Sequence, residues 1–174
     1  MTKNKIPNIR HKYGFTIAEL MIVVAVISII ASIGVVSYNS NRDQAILSDQ
    51  VQIITQQLSN ASAESKSQDG GYQWWMRFDN PPGGANDIAY LCYGTSYTAP
   101  NTSCATEGVG AAESQRFALN RSVQFTDPAS GTYKDIVFNK ATGLPASAVS
   151  IIISLVNGSG TRTITVNADG RIDN

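Results

Sequence analysis

A chain of 174 residues with 43% hydrophobic side chains is long enough for one domain with its own core. Charged residues make up only 15%, and 13 basic groups balance 13 acidic ones. Their placement is uneven: Lys3, Lys5, Arg10 and Lys12 give the first 14 residues a charge of +4, and the remainder carries −4. A mildly acidic main body has no general footprint for nucleic acid. The single histidine, His11, lies in the basic stretch, so no Ser-His-Asp triad or Cys-His pair can form further along. Two cysteines are too few for a cysteine-only zinc site. The phosphate-loop, dinucleotide, zinc-protease and nucleophile-elbow motifs are absent. The composition therefore speaks against an enzyme, and no cofactor or metal is expected.

Residues 15–38, FTIAELMIVVAVISIIASIGVVSY, hold one formal charge, Glu19. As a helix they would span ~36 Å at ~1.5 Å per residue, enough for a hydrocarbon core of ~30 Å. The basic flank predicts an N-terminus on the cytoplasmic side and the rest of the chain outside. A buried core helix would not be apolar on every face. A secretory signal would have a shorter apolar region, although Ala31-Ser32-Ile33-Gly34 loosely imitates a cleavage site. A plain membrane anchor leaves Glu19 unexplained, because a carboxylate within a membrane helix costs about 3 kcal/mol on insertion scales.

Gly14-Phe15-Thr16-Ile17-Ala18-Glu19-Leu20, behind a basic leader and ahead of an apolar run, closely resembles the signal of type IV pilins and pseudopilins. The resemblance implies that a membrane peptidase cuts between Gly14 and Phe15, that Phe15 is then N-methylated, and that Glu19 is the assembly carboxylate. The family more often has Leu where this chain has Ile17, a small departure. The implied partners are other pilin or pseudopilin subunits, the prepilin peptidase, an inner-membrane assembly platform and, before assembly, membrane lipid. In the family the Glu of an incoming subunit meets the terminal amine of a neighbour. Two separately buried charges are costly, whereas a pair is tolerated.

The helical pattern continues beyond Tyr38. Leu47, Val51, Ile54, Leu58 and Ala61 follow at spacings of 4, 3, 4 and 3, with polar residues between them. No proline falls within 15–66, which predicts one helix of about 50 residues, ~75 Å long at ~1.5 Å per residue. A break near Asn39-Ser40-Asn41 is the alternative. Many pilins carry a proline in the apolar half, and here Gly34 is the candidate place for the helix to loosen. Gly70-Gly71 ends the helix, and the period then changes to two. Tyr72–Phe78, Asp87–Tyr93, Arg116–Leu119, Val123–Phe125, Lys134–Asn139, Ala148–Leu155 and Thr161–Val166 read as strands separated by turn material. Residues 94–113 read as a long surface loop. The predicted fold class is α+β, pilin-like: a long N-terminal helix packed on an antiparallel sheet through the Leu47–Ala61 stripe. The expected organisation is a leader at 1–14, a membrane and assembly half-helix at 15–38, an amphipathic half-helix at 39–66 and a β-rich head at 70–174.

The C-terminal third, IVFNKATGLP, VSIIISL and TRTITVNADGRID, is similar to the end of the GspH/FimT group of minor pilins and pseudopilins. Some of that group bind DNA through a terminal Gly-Arg-x-Arg. Here Gly170-Arg171-Ile172-Asp173 places an acid at the last position, which speaks against DNA as a partner. Outside the cytoplasm Cys92 and Cys104 would either form a disulfide or remain two buried thiols. Trp75 alternates onto the polar side of its strand. There it would contact a neighbour or ligand, or be covered by the 94–113 loop. Asn167, Asp169 and Asp173 faintly imitate a calcium loop, but an Asp-Gly hairpin turn explains them better. The function expected from these readings is a structural filament subunit, minor pilin or pseudopilin, inserted in the inner membrane and then exported into a fibre. A membrane-anchored adhesin or receptor that does not polymerise is the alternative.

Overall fold

A computed structural model describes residues 14–67, 69–97, 104 and 111–174, without the side chains of 32–37, 69 and 111–114. Most of the leader and most of the 94–113 segment therefore lie outside the described residues. One helix, α1 (Ile17–Ser67), is followed by a short 3-10 turn, Asp69–Gly71. Gly70, at φ 61°, ends the helical course in the left-handed region that glycine enters without steric cost. Eight strands follow: β1 (Gln73–Asn80), β2 (Ile88–Gly94), β3 (Ala111–Ala118), β4 (Val123–Asp127), β5 (Thr132–Val137), β6 (Val149–Leu155), β7 (Thr161–Val166) and β8 (Ile172–Asp173). The chain divides into two units, Met1–Asn39 and Ser40–Asn174.

The α+β architecture is the one the sequence predicts, with one correction. The strands form two antiparallel four-stranded sheets rather than one, ordered β3-β2-β1-β5 and β4-β6-β7-β8. In the first, Trp75 sits opposite Cys92 and Val137, and Arg77 opposite Tyr90 and Asp135. In the second, Ile151 pairs with Ile164 and Ile153 with Arg162. Alternation puts Trp74, Met76 and Phe78 of β1 on one face, and Ile151, Ile153 and Leu155 of β6 on another. Both faces join the Leu47–Ala61 stripe in one buried core, where Leu58 and Ala61 are fully enclosed. Phe78 and Phe125 meet edge to face across the sheets, with ring centroids 5.5 Å apart.

Polar side chains seal the end of α1. The buried Ser65 hydroxyl accepts from the Trp74 N–H at 3.1 Å, and Ser65 C=O accepts from the Ala141 N–H at 3.1 Å. Ser62 donates its hydroxyl to Gly143 C=O at 2.6 Å. Gly143 (φ 66°) comes so close that a Cβ there would collide with the Ser62 carbonyl. Asn80 and Asp87 join the two sheets. The Asn80 amide donates to Phe125 C=O and Pro128 C=O, each at 2.9 Å, and Asp87 Oδ2 accepts the Phe125 N–H.

Trp75 takes one of the two courses the sequence left open. It is fully buried rather than exposed, packed with Cys92, Cys104, Tyr90, Tyr97 and Val137 on the outer face of the first sheet. Its covering is the second possibility raised by the sequence. Cys92 and Cys104 form a disulfide, with Cα atoms 5.7 Å apart. Tyr97 meets Trp75 edge to face at 5.5 Å, and its hydroxyl donates to Asp135 Oδ2 at 2.9 Å. Asp135 holds Arg77 through bonds of 2.8 and 2.7 Å, and the Tyr133 ring lies 4.2 Å from the guanidinium. Burial opposes the Arg77 charge, but the bonds and charge of Asp135 outweigh it and raise the Arg77 pKa. Burial, followed by the Asp135 carboxylate, pushes the Tyr97 phenol up to about 12.

The terminal hairpin is closed by its own side chains. Asn167 donates to Asp173 Oδ2 at 2.8 Å, and Asp169 Oδ1 accepts the Arg171 N–H at 3.0 Å. Gly170 occupies the left-handed region at φ 86°. Among the described residues no group of His, Cys, Asp or Glu is arranged to hold a metal ion.

Candidate assembly site at the N-terminus

Gly14, Phe15 and Thr16 precede α1 and are exposed, Phe15 at 86%. Thr16 caps the helix. Its hydroxyl oxygen accepts the Glu19 N–H at 3.2 Å, while Glu19 Oε2 accepts the Thr16 N–H and the Thr16 hydroxyl, both at 3.1 Å. This reciprocal capping box satisfies N–H groups that the first helical turn leaves without intrahelical partners. The first α-helical bond runs from the Leu20 N–H to Thr16 C=O at 3.2 Å. A carboxylate in the first turn also complements the positive end of the helix dipole.

The structure therefore places Gly14, Phe15 and Glu19 within one short segment and adds Thr16 as the residue that holds the Glu19 carboxylate. A Thr-x-x-Glu spacing before an apolar run is the sequence signal of that partner, one missed among the motifs read above. Among the described residues nothing lies within 4 Å of where a Gly14 Cβ would stand.

Behind the cap, apolar side chains cover every direction of the helix. Ile17, Leu20, Met21, Ile22, Val26, Ile27, Ile29 and Ile30 are all exposed. Ser28 in their midst turns its hydroxyl onto Val24 C=O at 2.7 Å, so its polar group is satisfied within the helix. Among the described residues no helix is long and apolar enough to cross a membrane. The sequence's apolar run also includes residues 32–37, whose side chains are outside that description.

Comparison with known families returns the prokaryotic N-terminal methylation motif, matched over residues 9–35. The chain carries the type IV prepilin signature. That motif supports a type IV pilin-like precursor, and the signature implies processing by prepilin peptidase and assembly with other pilins. No curated protein and no solved structure matches the chain. The matched segment contains the capped turn and the apolar surface, and it stops before the amphipathic stripe begins at Leu47.

Proposed function

We propose that the chain is a structural, non-catalytic subunit of a type IV pilus or a type II secretion-like filament, with the role of a minor pilin or pseudopilin. The observation that carries this reading is the helix surface from Ile17 to Ile30, apolar on all sides behind a single capped carboxylate. Exposed apolar area costs about 25 cal/mol per Å², so such a surface is stable only against lipid or other apolar helices. Residues 15–38 first lie in the inner membrane with the C-terminal head outside, and they then bundle with neighbouring subunits in the fibre. Hydrolysis of the Gly14–Phe15 peptide bond creates an amine one helical turn from Glu19, and N-methylation follows on that nitrogen. Glu19 meets the corresponding amine of a neighbour, and this pairing sets the register of assembly.

The similarity of the C-terminal strands to the GspH/FimT group supports the minor-subunit role. Mass spectrometry of protein from sheared surface fibres tests the proposal. The expected product begins at methylated Phe15 and co-purifies with pilin subunits. A chain that keeps residues 1–14 and remains monomeric in the membrane would instead be an anchored adhesin.

A further inference from the structure

The head contains a cavity of about 540 Å³ between the β1–β2 connection and β4, with Asn80, Pro81, Asp87, Arg121, Gln124 and Val156 in its wall. We propose that this cavity binds a ligand through a primary ammonium group, held by Asp87 Oδ1 and Asn80 Oδ1. Asp87 is 5% exposed and Asn80 7%, so both are built into the wall rather than standing on the surface. Each uses only part of its hydrogen-bonding capacity. Asp87 Oδ2 takes the Phe125 N–H, and the Asn80 amide nitrogen serves two carbonyls. Among the described residues no donor reaches the second oxygen of either side chain. Neither oxygen is among the unpartnered polar atoms sealed from solvent. Their remaining access is through the cavity that both residues line.

The chemistry of these acceptors selects the ligand. A carboxylate oxygen and a carboxamide oxygen accept hydrogen bonds, so the ligand end that enters must donate them. Burial raises the Asp87 pKa, the Phe125 N–H opposes the rise, and nearby Asp79 adds to it. A cation at Asp87 Oδ1 offsets this desolvation, which a neutral donor cannot do. The other charged groups around Asp87 are Asp79, on β1, and Arg121, ahead of β4, while Asp127 at the end of β4 is paired with Lys134. Arg121 is exposed, leaving room for an anionic or polar far end of the ligand. The volume suits a molecule of amino-acid or diamine size. The site lies in the head and is separate from the N-terminal assembly machinery.

The test uses the full chain in detergent micelles and follows the Asp87 side-chain carboxyl by 13C NMR. Methylammonium chloride is the probe, with tetramethylammonium chloride at equal ionic strength as the control. The expected result is a saturable Asp87 shift with methylammonium and none with tetramethylammonium, which lacks N–H donors. Affinity should fall about tenfold per pH unit once Asp87 protonates. N-acetyl-lysine methylamide separates two sources of the same chemistry. At least tenfold tighter binding than methylammonium assigns a lysine side chain of another protein, and weaker or comparable binding assigns a free amine. Asp87→Asn, followed through the Phe125 backbone amide, which also reports methylammonium binding in the wild type, should abolish the response, since Asn can still accept the Phe125 N–H. If that variant does not fold, Ala129→Trp, an exposed wall position, should abolish it by filling the cavity. No shift with methylammonium, an equal shift with tetramethylammonium, or an unaltered response in a folded Asp87→Asn or Ala129→Trp variant overturns the proposal.

Discussion

Glu19 caps the helix, and in the proposed assembly it also pairs with an amine; substitution can separate the two. Its Oε2 accepts both the N–H and the hydroxyl of Thr16, and its charge is available to an amine. Glu19→Gln keeps an acceptor for the Thr16 N–H and removes the charge. Glu19→Val removes both. Thr16→Ala keeps the charge and removes the hydroxyl that binds the Glu19 N–H. Loss of a cap costs about 1 kcal/mol, a factor of about five in any equilibrium that depends on the first turn. Leaving a neighbour's amine without its carboxylate inside an apolar bundle costs about 3 kcal/mol, taking the insertion-scale figure for one charge. That is roughly a hundredfold in the ratio of assembled to membrane-held chain. Quantitative immunoblotting of sheared fibres against the membrane fraction, with N-terminal sequencing to confirm cleavage, measures this ratio. Glu19→Gln should fall about a hundredfold, Glu19→Val about fivefold further, and Thr16→Ala about fivefold. If Glu19→Gln assembles like the wild type, the charge-pair reasoning fails. If only Glu19→Val and Thr16→Ala are impaired, the carboxylate matters as a helix cap alone.

Other consequences concern the head. Leu58 is fully enclosed beneath both sheets, so Leu58→Ala should lower unfolding free energy by about 2–5 kcal/mol in urea titration; a loss below about 1 kcal/mol would remove the stripe from the core. Replacing both Cys92 and Cys104 with Ser should cost about 3 kcal/mol, read as a lower denaturation midpoint that the wild type reproduces under reducing conditions. Tyr97 loses its proton more readily unfolded than folded, its pKa rising from 10.0 to about 12 on folding. Its stabilising contribution is therefore complete below pH 10 and is lost as pH rises toward about 12. Tyr97→Phe should weaken this alkaline dependence in thermal melts, and an identical alkaline profile would show that another group controls it.

The helix was legible because Leu47, Val51, Ile54, Leu58 and Ala61 repeat at the helical period with no proline among them, and all five are buried. Strand positions were legible where apolar and polar residues alternate, as in Thr161–Val166. Alternation does not encode which strands pair, so two sheets looked like one. The beginning of β3, Ala111-Ala112-Glu113, has no apolar period and was read as loop, and the two-residue β8 is too short to leave a pattern. Trp75 was assigned to the right side of its strand, but whether it stayed exposed was not legible, for a related reason. Period two says which face a residue takes, but its cover comes from Tyr97 and Cys104, which no local pattern connects to it. At the N-terminus, Gly14, Phe15 and Glu19 were legible from spacing alone. Asn80 and Asp87, brought together with Phe125 across 38 to 45 positions, have no such spacing to reveal them.

The Asn80–Asp87 pair has a consequence for how this molecule can multiply. β4 borders its sheet, and a border strand ordinarily offers vacant amides and carbonyls on which another chain can zip up. At Phe125 both groups are already taken by side chains from within the same fold. A stray polypeptide therefore cannot pair with Phe125, and the rim loses that rung of its template.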